Sequence, residues 1–283
     1  MPARFPLRAP TWPGTVERPP VRSRTGVDFQ TDWARRPPAR LARAAIIDYV
    51  VRPAVHAVAT PTVDGRERLD PLCPPVIFAA NHHSHLDTGL ILSVLPERFR
   101  HRAVVAAAAD YFFDRRAKGM LHALAFGAVP VERIKVNRRS ADLAAGLVAD
   151  GWNLVIFPEG GRSPDGWGQG FRGGAAYLAV RTGRPVVPVY LEGTREVWPK
   201  GQVLPRGGQA RVSVTFGPAL QPVAGEDARR LAARLEAAVA ALADERATDW
   251  WTARRRAAEG SSPPLTGPQA APWRRAWALR EKR

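Results

Sequence analysis

A recurring alternation between residues 76 and 216 constrains this chain more than any other feature of its sequence. Short runs rich in small and β-branched apolar residues occur at Val76–Ala80, Ala103–Ala107, Ala128–Val131, Asn153–Phe157, Val186–Leu191 and Arg211–Phe216. Between several of them lie stretches with helical spacing, at Ser84–Leu95, Tyr111–Phe126, Ser140–Asp150 and Phe171–Thr182. Strands and helices in turn at this spacing predict an α/β fold, a single domain with a largely parallel central sheet flanked by helices. The run R-V-S-V-T-F alternates polar and apolar residues, so Arg211–Phe216 is expected at a sheet edge. In such sheets ligands collect outside the carboxyl ends of strands, and chemistry is sought there.

The flanks differ from this centre. Residues 1–40 carry eight prolines, eight Arg and three acids and predict a poorly ordered segment. Leu41–Val58 reads as a helix with Asp48 and Arg52 interrupting its apolar stripe. From Gly225 a further helix aligns Leu231, Leu235, Val239 and Leu242, and the domain is expected to span 41–249. Residues 250–283 form a basic tail with seven Arg, one Lys and two Glu. Six of the nine tryptophans lie in the two flanks, at Trp12, Trp33, Trp250, Trp251, Trp273 and Trp277. Arg beside Trp suits an anionic bilayer surface, where each basic residue contributes about 1 kcal/mol. It also suits nucleic acid, or a solvated charge run with no partner. The single cysteine, Cys73, excludes an internal disulfide. No uncharged run approaches the ~20 apolar residues that cross a bilayer, and no apolar leader opens the chain, so a cytoplasmic-side location is expected.

The run Val76–Ala80 leads into Asn81-His82-His83-Ser84-His85-Leu86-Asp87, which holds three of the six histidines. Ser84 and Asp87 have the spacing of a capping box, which puts His82 in a strand-to-helix turn and Asp87 in the first helical turn. The turn lets Asp87 fold back towards the His82 ring. In one reading His82 is a general base and Asp87 fixes its tautomer and steadies the imidazolium. In a second, His83, His85 and Asp87 ligate a metal in the manner of a metallohydrolase. Thr88 then stands where that pattern continues with His, and no histidine lies beyond His122. In a third, Asp87 is only a helix cap.

A second turn follows Asn153–Phe157, in Pro158-Glu159-Gly160-Gly161-Arg162-Ser163. Its two glycines permit a tight turn and close approach of backbone to a ligand. Arg162 can grip a phosphate with its planar fork, Ser163 adds a hydroxyl, and Glu159 can orient Arg162 or bond a substrate hydroxyl. Glu192-Gly193-Thr194-Arg195, after the run Val186–Leu191, repeats the same letters, and strand context alone does not choose between the two.

Taken together these blocks resemble the glycerolipid acyltransferase family, which includes 1-acylglycerol-3-phosphate and glycerol-3-phosphate acyltransferases. The matching residues are Asn81, His82, Ser84 and Asp87; Gly127, Pro130, Val131 and Arg133; Phe157 to Ser163; and Val187 to Val189. The resemblance covers roughly residues 70–217 and makes 159–163 the third block. It implies that His82 is the base and Asp87 its partner, and that Arg133, Glu159, Gly160, Arg162 and Ser163 form the acceptor's phosphate and hydroxyl site. It implies an acyl-CoA or acyl-carrier-protein donor, a lysophospholipid or glycerophosphate acceptor and no cofactor. Because an apolar acyl chain must reach the site, peripheral docking on an anionic membrane surface is expected, with the cationic tails and the Leu41–Val58 helix as candidate docking elements, and no nucleic-acid partner is expected. Gly161 stands where members of the family often carry Thr, which removes a hydroxyl from the expected acceptor site.

Overall fold

A computed structural model describes residues 25–132 and 138–281. Its strands are β1 (Ala59–Asp64), β2 (Ile77–Ala80), β3 (Ala103–Ala108), β4 (Ala128–Val131), β5 (Asn153–Ile156), β6 (Val186–Glu192) and β7 (Ala210–Phe216). Its helices are α1 (Pro37–Ile46), α2 (Arg52–Val58), α3 (Asp87–Val94), α4 (Glu97–Arg100), α5 (Ala109–Phe112), α6 (Arg116–Phe126), α7 (Arg138–Ala149), α8 (Gly174–Thr182), α9 (Thr194–Val197), α10 (Ala228–Ala247), α11 (Trp250–Glu259) and α12 (Pro272–Glu281). The strands form one seven-stranded sheet in the order β1-β7-β6-β2-β5-β3-β4. From β6 to β4 every pairing is parallel; β7 runs antiparallel to β6, and β1 parallel to β7.

Both faces of the sheet are covered, which is why its central strands are apolar at every position rather than at alternate ones. On one face Phe78, Ala80, Val155 and Val187 pack against Leu90, Ile91 and Leu92 of α3 and against Ile47 and Val55. On the other, Ile77, Ala79 and Leu154 pack against Ala144 and Val148 of α7, Ala175 and Ala179 of α8, and Leu231 and Leu235 of α10. Helix α3 is buried on nearly all sides, and Gly89 lets it approach α2: a Cβ there would sit 3.4 Å from Val51 and 3.6 Å from Val55.

The topology marks the place for a ligand. The helix after β2 lies on one face and the helix after the neighbouring strand β5 lies on the other. Adjacent parallel strands whose crossovers part in this way leave a crevice beyond their carboxyl ends.

Three features differ from the sequence reading. The strand Arg211–Phe216 is not at the edge: β1 flanks it, and Ser213 and Thr215 are each only 3% exposed. The edge strand β1 escapes a propensity reading because Pro61 interrupts it, and proline is tolerated where a strand has a partner on only one side. The helix expected over Leu41–Val58 starts at Pro37 and passes through a π turn at Ile47–Val51, and the stretch Tyr111–Phe126 divides into α5 and α6. Within residues 250–281, α11 is capped by Asp249 and pairs Arg256 with Asp244 of α10 at 2.8 Å, while Leu265 joins the core beside Val239 and Leu242. Among the described residues no helix is long and apolar enough to cross a membrane.

Candidate active site

Strand β2 ends at Ala80, and Asn81 terminates it by a specific device. Its side-chain amide donates to the Leu191 carbonyl at 2.8 Å and accepts from the Leu191 N–H at 2.7 Å, replacing the ladder that β2 can no longer supply to β6. The chain then turns away from the sheet, and α3 begins at Asp87. Ser84 holds this turn: its hydroxyl donates to the Trp198 carbonyl at 2.7 Å and accepts from the Leu86 N–H at 3.0 Å.

The turn folds Asp87 back under His82, as the spacing of the two residues allows. Asp87 Oδ2 accepts from the backbone N–H of His83 at 2.7 Å, from that of Ser84 at 2.8 Å, and lies 2.8 Å from His82 Nδ1. Asp87 is fully buried. Burial alone pushes its pKa up, but the hydrogen bond and charge of His82, the Thr194 hydroxyl and the Ser84 N–H together hold it below the ordinary carboxylate range. An ionised carboxylate only accepts, so Nδ1 of His82 carries a proton, and in the neutral ring Nε2 is the nitrogen with the free lone pair. Phe157 stacks on the imidazole, with centroids 4.1 Å apart and an interplanar angle of 20°, and fixes the ring plane.

The turn after β5 docks on the same backbone. Glu159 Oε1 accepts from the His82 N–H at 2.8 Å, and the Ser163 N–H donates to the His82 carbonyl at 2.9 Å. Both peptide groups of the catalytic candidate are therefore fixed by the second motif. Glu159 Oε2 accepts from the Gln169 N–H at 2.9 Å, so this carboxylate cross-links the two turns. Burial pushes its pKa up to about 7, against the two N–H bonds that favour the anion. Ser163 is 1% exposed, and its hydroxyl accepts from the Gly166 N–H at 2.7 Å. Gly160 has φ +73°, and a Cβ on it would come within 2.9 Å of Arg172 Nε; the glycine lets this exposed cation lie on the turn, a contact that the motif alone does not disclose.

Arg162 reaches across to the His85 ring through Nη1, and its Cζ lies 5.3 Å from the centre of the Tyr111 ring. Burial, and then the charges of Arg162 and His82, hold the His85 pKa down to about 4, so His85 is neutral at physiological pH. Arg133 lies outside the described residues.

The repeated letters of Glu192–Arg195 also converge here, because β6 is the other neighbour of β2. Thr194 is fully buried and its hydroxyl helps hold the Asp87 pKa down, while Arg195 contacts the Ser163 hydroxyl at 3.5 Å and the Pro164 carbonyl at 3.4 Å. Nothing in the local sequence reveals this, since strand order is not written in spacing.

The residues of the metal reading are engaged with other groups. Three donors already converge on Asp87 Oδ2 and His85 packs against a guanidinium, and among the described residues no group of three His, Cys, Asp or Glu side chains could hold a metal ion. The same Asp87 oxygen that accepts the two backbone N–H groups also holds the imidazole.

A largely buried imidazole oriented by a buried carboxylate, at the carboxyl end of the central strand of an α/β sheet, is able to move a proton at a hydroxyl or amine. The comparisons narrow that class. Residues 60–192 match the model of the Acyltransferase family. It is 31% identical over 148 residues to a 1-acyl-sn-glycerol-3-phosphate acyltransferase of Chlamydomonas reinhardtii, covering 50% of this chain and 41% of that protein. It is 26% identical over 182 residues to the human 1-acyl-sn-glycerol-3-phosphate acyltransferase alpha, covering 63% of this chain and 62% of that protein. It thus spans about two fifths of the algal relative's length. The fold is shared with the crystal structure of the 1-acyl-sn-glycerophosphate acyltransferase PlsC from Thermotoga maritima, at a TM-score of 0.57 and 24% identity over 75% of this chain and 84% of that one.

Proposed function

We propose that this chain transfers a fatty acyl group from an acyl thioester, acyl-CoA or acyl-carrier protein, to the free hydroxyl of a lysophospholipid such as 1-acylglycerol-3-phosphate. The observation that carries this reading is the 2.8 Å contact of His82 Nδ1 with the buried Asp87 carboxylate, within the span that matches the family. Nε2 takes the acceptor's hydroxyl proton as that oxygen attacks the thioester carbonyl carbon. The new C–O bond forms, the C–S bond breaks, and the departing thiolate recovers the proton from the imidazolium. Asp87 stays ionised throughout and offsets the charge that develops on the ring. No acyl-enzyme is invoked, since the one cysteine, Cys73, is exposed and lies before β2.

The acceptor phosphate falls to the cations around the second turn, Arg162 foremost; the family resemblance adds Arg133 to that role. Glu159, Gly160 and Ser163 shape that turn from within rather than through charge. His85, kept neutral, gives Arg162 a partner that does not neutralise it.

A lipid acceptor requires access to a bilayer. Leu41, Tyr49 and Val50 are 73%, 81% and 59% exposed on the N-terminal helical arm, and the basic, Trp-rich flank adds charge attraction to an anionic surface. The reading is of a peripherally attached protein on the cytoplasmic side.

The test is acyl transfer by the purified chain with a panel of acyl thioesters and hydroxyl acceptors, followed by lipid mass spectrometry. The expected product from 1-acylglycerol-3-phosphate is its diacyl form, with release of one thiol per ester formed. Thioester hydrolysis alone, or acylation only of acceptors lacking phosphate, contradicts the reading.

A further inference from the structure

The loop that carries Glu159, Arg162 and Ser163 is gripped from outside by a segment beyond residue 260. Arg275 of α12 donates from Nε to Asp165 Oδ2 at 2.9 Å, and its Nη2 lies 2.7 Å from the same oxygen. Its Nη1 donates to the carbonyls of Thr266 at 3.0 Å and Pro268 at 2.9 Å, so one guanidinium ties the loop, the turn at 264–268 and its own helix together. The Trp167 indole Nε1 donates to the Arg275 carbonyl at 3.0 Å, and the Gly168 N–H donates to the Leu265 carbonyl at 2.9 Å.

Packing reinforces these bonds. Trp167 is 8% exposed, and its ring lies so flat on the turn that a Cβ on Gly267 would be 2.2 Å from its Cδ2. Gly267 also has φ +69°, so the turn and the close approach both require glycine. Leu279, one helical turn after Arg275, lies where a Cβ on Gly166 would come within 2.5 Å. The gripped residues 165–168 lie between Ser163, whose N–H bonds the His82 carbonyl, and Gln169, whose N–H bonds Glu159. Mobility at Asp165 or Trp167 is therefore transmitted to the backbone that fixes His82.

We propose that Arg275 is a positioning residue, and that the segment Pro264–Leu279 is a clamp holding the acceptor loop 158–169 in its working conformation. The clamp lies outside residues 60–192, the span matched by the family. Its consequence for acceptor binding rests on the acyl-transfer reading; its effect on the loop does not.

The test uses the full chain with Arg275→Ala, Asp165→Asn and both together. Asp165→Asn keeps the oxygen that accepts from the Trp167 N–H at 3.1 Å and replaces the oxygen facing Arg275 by an amide N–H that cannot accept. Amide hydrogen exchange across residues 158–169 should quicken about tenfold in Arg275→Ala, as expected for losing charge-assisted bonds, while exchange in β2 and β5 is unchanged. The double variant should be less than additive, since the two residues share one bond. In the acyl-transfer assay the KM for the phosphorylated acceptor should rise about tenfold with the donor KM unmoved. Arg274→Ala, one position along and exposed, should leave both readouts at wild type, and Arg275→Lys should recover part of the effect. Unchanged exchange at 158–169 in Arg275→Ala and Asp165→Asn overturns the clamp. Faster exchange with an unchanged acceptor KM overturns the link to the acceptor. If Arg275→Ala does not fold, Asp165→Asn decides by the same two readouts. Absence of acyl transfer in the wild type sinks the proposed activity and leaves exchange to decide the clamp.

Discussion

Replacing Asp87 by Asn separates the proposed catalytic role of this carboxylate from a helix cap. An Asn oxygen in the place of Oδ2 can still accept from the His83 and Ser84 N–H groups, which stand 2.7 and 2.8 Å away. It can also still accept from His82 Nδ1, so the neutral ring keeps its tautomer. What disappears is the negative charge facing an imidazolium. Two unit charges about 4 Å apart interact by about 4 kcal/mol at an effective dielectric of 20, and an amide dipole retains only part of that. Loss of about 3–4 kcal/mol from the transition state is a fall of about 10²–10³-fold in kcat/KM. Stability should suffer less, by about 1–3 kcal/mol, because charge-assisted bonds become neutral ones and the amide nitrogen takes the place of the buried Oδ1. The assay is thiol release from an acyl thioester at saturating acceptor, beside a thermal melt of the same preparation. Asp87→Ala is the contrast: three donors lose their acceptor and both readouts fall. Turnover by Asp87→Asn within about threefold of wild type, at an unchanged melting temperature, would refute the argument and reduce Asp87 to a cap.

Other consequences follow from single side chains. Asn81→Ala strips the Leu191 N–H and carbonyl of their partners in a buried place, and unfolding by denaturant should report a loss of about 2–5 kcal/mol; an unchanged midpoint contradicts the role assigned to this amide. His85 has its pKa depressed to about 4, so its contribution to stability is full above about pH 6.5, the unfolded value, and is lost as pH falls from there through 4. By NMR its ring should remain neutral down to about pH 4 and titrate higher in Arg162→Ala; an ordinary titration near 6.5 in the wild type contradicts the burial argument. Arg162→Ala should raise the KM for a phosphorylated acceptor about tenfold or more while sparing the donor KM, and an unmoved acceptor KM removes Arg162 from the phosphate site.

Much of this architecture is legible in the sequence. The parallel strands announce themselves because a sheet covered on both faces needs continuous apolar runs, and Val76–Ala80 and Val186–Leu191 have no other reading of comparable economy. The return of Asp87 to His82 is legible because the turn at Ser84 must intervene. Other elements are hidden for identifiable reasons. Strand β1 carries Pro61, which an edge position tolerates and a propensity scale penalises. The convergence of Thr194 and Arg195 on the site depends on β6 lying beside β2, a long-range fact that local patterns do not encode. Glu159 looks like a ligand-facing acid among glycines, yet both its oxygens accept backbone N–H groups, one of them from His82 itself. In residues 250–281 the abundance of Arg and Trp masks the few positions that are buried, Ala253 and Leu265 among them.

The most direct test of the central claim is the rate of acyl transfer to 1-acylglycerol-3-phosphate by His82→Ala, with folding verified by thermal melt. A general base contributes about 10²–10⁴-fold, so the variant should form the diacyl product that much more slowly while binding acceptor as well as the wild type does. Product formation at the wild-type rate without the imidazole would contradict the account.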